Sequence, residues 1–182
     1  FAAFISALKG HPVSYTMFMT LYYTGMREGE LLALTPSDID FDKGTLIINK
    51  SYQRLSGKDI VSSPKTPKSN RVVTIPEILK ATLRSYMDKC YGLQPDDRLF
   101  PYTKSYLYHE MEYGIKESGV TRLRVHYIRP SPPSLLVELG FSPLMIAARL
   151  GNVCVQTTID TFIHLYPHHP FAHPRLRAHL HI

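Results

Sequence analysis

From Asp38 to Ile75 the apolar residues abandon the helical spacing that governs the chain on either side, and this single interruption constrains the fold more than any other feature. Before it, Val13, Met17 and Leu21 recur at intervals of four with Phe18 and Tyr22 beside them, the mark of a buried helix. After it, Pro76 opens a run in which Ile78, Leu79, Leu83, Tyr86, Met87 and Cys90 share one helical face, ending near Gly92. Inside it lie short β-rich runs at 39–41, 45–48, 59–62 and 71–75, punctuated by Lys43-Gly44 and Ser56-Gly57. A small antiparallel sheet inserted into a helical chain is predicted, so the expected class is mainly α with a small antiparallel β-sheet (α+β). With 182 residues and 44% hydrophobic composition, one domain with a full core suffices.

The turn signals place particular side chains. Thr24-Gly25 breaks the first buried helix, and Arg27 then opens a short helix over 28–34 that Thr35-Pro36 stops, because proline disfavours the helical backbone of the residue before it. The last connection of the β region, Ser63-Pro64-Lys65-Thr66-Pro67-Lys68-Ser69-Asn70, is predicted to form a basic hairpin tip. Further helices are expected from about Lys104 to Ser118, after His126 through Leu135, Leu136 and Leu139 to Gly140, from Pro143 to Leu150, and from Val155 to Leu165. Beyond Tyr166 prolines and histidines alternate and no long helix is expected.

A formal net charge of +6 with nine histidines permits a polyanionic partner without requiring one. No apolar run reaches the roughly 18 residues of a membrane span and no signal segment opens the chain, so a cytoplasmic location is expected. Cys90 and Cys154 are isolated, which argues against a zinc knuckle or disulfide framework. The tail histidines His164, His168, His169, His173, His179 and His181 offer no helical ligand pair, so no metal site is expected there.

Four motifs stand in a fixed order. The box Tyr-Thr-Gly-Met-Arg-Glu-Gly-Glu-Leu (Tyr23 to Leu31) comes first, then a β hairpin with Lys65, then Val125-His126-Tyr127-Ile128-Arg129, then Leu150-Gly151 before a last segment ending His164-Leu165-Tyr166-Pro167. Each alone is weak, but the ordered set from Leu21 to Pro167 resembles the catalytic domain of the tyrosine recombinases, the integrases of phages and conjugative transposons. The resemblance implies site-specific recombination of double-stranded DNA through a 3′-phosphotyrosine, without metal or other cofactor. It further implies a homotetramer on DNA, a monomer in isolation, and association with the nucleoid when DNA is bound. Residues 1–167 would form the catalytic domain and 168–182 a Pro/His-rich tail, with the family's N-terminal DNA-binding domains absent.

In such chemistry negative charge builds on the non-bridging phosphate oxygens, and planar guanidinium forks suit it by donating paired, charge-assisted hydrogen bonds. Arg27 and Arg129 take that role. Lys65, with Lys68 as the alternative, would protonate the leaving 5′ oxygen, and His126, three residues before Arg129, would bond the phosphate or relay a proton. Arg27, Lys65, Lys68, Arg71 and Arg129 are the expected DNA-facing cations. Asn152 replaces the histidine or tryptophan usual after Leu150-Gly151, and Phe162 stands where the family has its nucleophilic tyrosine. A phenyl ring has no oxygen to attack phosphorus. Tyr166, one turn on, belongs to a motif that accompanies the proper nucleophile and is read as packing. Pro130, Pro132 and Pro133 also depart from the pattern and disturb the backbone around Arg129. A second reading therefore keeps the fold but makes the chain a non-catalytic duplex-DNA-binding module.

Overall fold

The computed structural model of the protein describes residues 1–63 and 70–122 together with Val125 and Ile128. Its centre is α2 (Pro12–Thr24), which packs against α1 (Ala2–Ala7), α3 (Glu28–Ala33) and α4 (Glu77–Met87). Being surrounded, α2 buries hydroxyls as well as Met17, Phe18 and Leu21. Those of the threonines are satisfied along the helix itself, where Thr16, Thr20 and Thr24 donate to the carbonyls of Pro12, Thr16 and Thr20 at 2.8, 2.7 and 2.6 Å, while Ser14 donates to Glu110 of α5 (Lys104–Ser118). Gly25 ends α2 in the left-handed region at φ 64°, where a side chain would be strained, so the chain turns sharply where the sequence signals predicted. Helix α1 was not anticipated; it is six residues long and rests on α5.

The β region departs from expectation in two respects. Instead of one sheet there are two, and a strand not anticipated forms at Ser51–Leu55. Strands β1 (Ile39–Asp40), β2 (Thr45–Ile48) and β5 (Arg71–Thr74) form an antiparallel sheet in the order β1-β2-β5. Strands β3 (Ser51–Leu55) and β4 (Lys58–Ser62) form a separate hairpin inserted between β2 and β5. Ser56 and Gly57 at φ 49° and 79° close it in the tight turn whose twist suits a two-residue hairpin loop. Strand β3 has no apolar alternation and buries only Tyr52, so its pairing is decided by what lies beneath it. The Arg98 guanidinium stacks on the Tyr52 ring at 4.2 Å and donates to the Leu32 and Tyr102 carbonyls at 3.1 and 3.2 Å. It also reaches Asp59 of β4 at 3.3 Å.

The core runs beneath both sheets. Leu46, Ile48 and Val73 of the three-stranded sheet share one buried cluster with Leu31, Leu32 and Leu34 and with Leu79 and Leu83 of α4. Helix α4 ends at Met87, five residues before Gly92. The basic tip at 64–69 and the helices expected after His126 lie outside the described residues. Among those described, no helix is long and apolar enough to cross a membrane.

Candidate active site

Arg27 is the N-cap of α3, with extended backbone (φ −76°, ψ 155°) directly after the Gly25 turn. An arginine has no acceptor with which to cap a helix; the cap is completed from the other side. Glu30, at the third helical position, accepts the Arg27 backbone N–H at 2.7 Å on Oε2 and the Arg27 Nη1 at 2.9 Å on Oε1. One carboxylate thus fixes both ends of the residue. The Glu30 side chain is 4% exposed, whereas that of Arg27 is 45% exposed, so the guanidinium is anchored on its inner edge and open on its outer one.

Arg71 supplies the counter-charge. Strand β5 alternates, so Arg71 and Val73 point into the core while Val72 and Thr74 point out. Arg71 meets Glu30 as a fork, Nη1 to Oε1 at 3.2 Å and Nη2 to Oε2 at 2.8 Å, with its side chain 5% exposed. Arg71, expected among the DNA-facing cations, has its side chain turned inward by the strand register. Burial alone pushes the Glu30 carboxyl up, but the hydrogen bonds and charge of Arg71, and then of Arg27, outweigh it and hold the pKa below the ordinary carboxylate value. Two guanidinium groups share one carboxylate, leaving the cluster with one net positive charge.

The floor of the site requires Gly29. Helix α3 lies so close to β3 that a Cβ at Gly29 would stand 2.5 Å from Ser51 Oγ and 2.8 Å from the Tyr52 carbonyl oxygen. Gly29→Ala should therefore push α3 off the hairpin and cost about 1–3 kcal/mol. An unchanged urea midpoint for that variant would contradict the close packing. Beside Arg27 opens a cleft of about 320 Å³ whose walls include Met26, Glu28, Ser51, Lys104 and Val125. Val125, 3% exposed, brings the start of the third motif to the first, although the two are separated by most of the described chain.

Residues 3–169 match the phage integrase family model. The chain belongs to the phage integrase family. It is 33% identical over 181 residues to the ICEBs1 integrase of Bacillus subtilis (strain 168), covering 92% of this chain and 49% of that protein. It is 26% identical to a tyrosine recombinase XerC-like protein of Caldanaerobacter subterraneus subsp. tengcongensis, covering 88% of this chain and 48% of that one. The chain thus spans about half the length of these relatives. Its fold is that of the Tn1549 transposon integrase solved with circular intermediate DNA (TM-score 0.81, 20% identity, 98% of this chain and 64% of that one). XerA recombinase shares it as well (TM-score 0.71, 22% identity, 93% and 60%).

Of the residues expected in an integrase site, the structure places Arg27 and Arg71 and joins them through Glu30. Lys65, Lys68, His126, Arg129, Asn152, Phe162 and Tyr166 lie outside the described residues. Glu30 was missed by sequence reasoning, although its position three residues after a helix start is the signal of a capping carboxylate. Lys104 was missed for a different reason, since only tertiary packing brings the start of α5 to the cleft. Among the described residues, no group of three or more His, Cys, Asp or Glu side chains could hold a metal ion.

Proposed function

We propose that this domain grips duplex DNA through the cleft beside Arg27 and serves site-specific recombination, with strand cleavage blocked at Phe162. The observation that carries this reading is the open outer edge of Arg27. Its inner edge is spent on Glu30, and Arg71 offsets the Glu30 charge, so the outer edge keeps a full positive charge for a phosphate oxygen. The Tn1549 transposon integrase, whose fold this chain shares, was solved in complex with circular intermediate DNA. In this reading Arg129 is the second phosphate clamp, Lys65 (or Lys68) protonates the leaving oxygen, and His126 and Asn152 donate to the phosphate. No metal or other cofactor takes part, and the domain assembles as a tetramer only on DNA.

A second reading, a binding module that occupies recombination sites without cutting them, is favoured by one specific observation. Phe162 offers no nucleophilic oxygen. Both readings require the cleft to bind phosphate. Affinity for random duplex DNA should fall steeply with salt, and Arg27→Ala should flatten the slope of log K against log salt by about 0.9. Binding indifferent to salt and to Arg27 would leave a recombinase fold without its DNA cleft.

A further inference from the structure

The cleft carries an acid where a polyanion is to bind. Glu28, beside Arg27, has a side chain only 15% exposed and lines the same cleft as Lys104. A carboxylate there repels phosphate, and it is not loosely solvated. The Tyr108 hydroxyl donates to Glu28 Oε2 at 2.8 Å across 80 residues of sequence, and Lys104 Nζ stands 3.9 Å from the same oxygen. The hydrogen bond, followed by burial and the Glu28 charge, raises the Tyr108 pKa, so the hydroxyl stays a donor at neutral pH. Lys104 and Tyr108 sit one turn apart on α5, 49% exposed at the lysine side chain and 47% at the tyrosine, and both aim at one oxyanion. Carboxylate and phosphate oxygens accept the same bonds in the same geometry.

Resting on the DNA-binding reading above, we infer that Lys104 and Tyr108 form a second phosphate subsite beside that of Arg27, and that Glu28 occupies it as a stand-in until DNA arrives. The long contact of Lys104 suits release: its flexible stem lets the ammonium swing from Glu28 to an incoming backbone phosphate. Tyr108 supplies a neutral donor to the same group. Glu28 thereby sets a threshold, since DNA must displace a carboxylate already bound to the donors it needs.

The test is the salt dependence of binding to random duplex DNA, using the full chain and its Lys104→Ala, Glu28→Gln and doubly substituted forms. Arg27→Ala serves as reference, and thermal melting confirms that each variant is folded. Lys104→Ala should flatten the slope by about 0.9, as for one phosphate lost. Glu28→Gln keeps an acceptor for Tyr108 but removes the charge, and should tighten binding roughly fivefold at low salt, a gain that fades as salt screens it. That gain should vanish when Lys104 is also replaced, and Tyr108→Phe should weaken binding without altering the slope. If Arg27→Ala flattens the slope and Lys104→Ala does not, or if Glu28→Gln weakens binding, the bond between α3 and α5 is a structural tether and the subsite is refuted. If neither cation affects the slope, the DNA-binding reading itself fails and takes the subsite with it.

Discussion

Glu30→Ala should cost about 3–5 kcal/mol of folding stability, because it leaves the Arg71 guanidinium buried in the core without its carboxylate. For a domain whose total stability is about 5–15 kcal/mol, that is a large share. With each kcal/mol worth roughly 2–4 °C at this size, the melting temperature should drop visibly. Replacing both partners by apolar residues, Glu30→Leu with Arg71→Met, should recover most of the loss, since the buried guanidinium is then removed together with its carboxylate. DNA affinity should not recover with it: Arg27 would still lack the carboxylate that fixes its backbone and its inner edge. Equal stability for the single and double variants would refute the assignment of the loss to buried charge. The pH dependence follows the same logic. Folding lowers the Glu30 pKa, so the contribution is complete above the ordinary carboxylate value and is lost as the pH falls through the lowered, folded-state value. Glu30→Gln should show a shallower acid limb than the parent in urea unfolding followed against pH.

If Phe162 holds the nucleophile position proposed above, Phe162→Tyr should form a covalent protein–DNA intermediate and the parent should form none. The readout is an SDS-resistant protein–DNA adduct on a pool of nicked duplexes, which trap a cleaved strand by letting its short end diffuse away. The parent lacks any oxygen at this position, so its yield should be nil; removing a nucleophile elsewhere in enzymology costs on the order of 10⁶ in rate. Tyr166→Phe, added to the Phe162→Tyr variant, should leave the adduct in place if Tyr166 only packs. An adduct would mean that Arg129 works in spite of Pro130 and Pro132. Silence from a Phe162→Tyr protein that still binds DNA with the Arg27-dependent salt slope would establish the non-catalytic module.

Sequence spacing made the α+β class legible, together with the Gly25 turn, the Arg27 helix start and the order of motifs that marks the integrase family. It also singled out Phe162, which stands where the family resemblance expects a tyrosine. These signals are local, because helical and strand periodicities and turn residues act over a few neighbours. Strand β3 escaped because its stability comes from the Arg98 stack on Tyr52 and not from alternation along its own residues. Lys104 and Tyr108 escaped because their meeting with Glu28 depends on how α5 packs beside α3. Arg71 is the sharpest case. By composition it is one more cation after a basic loop, and only the pairing of Ile48 with Arg71 turns it to the inner face. There it meets a carboxylate 41 residues earlier in the chain. Sequence alone determined which charges the domain carries. Strand register and helix packing decided which of them are spent on one another and which stay open to solvent, because a side chain's direction in a sheet reverses with every residue of slip.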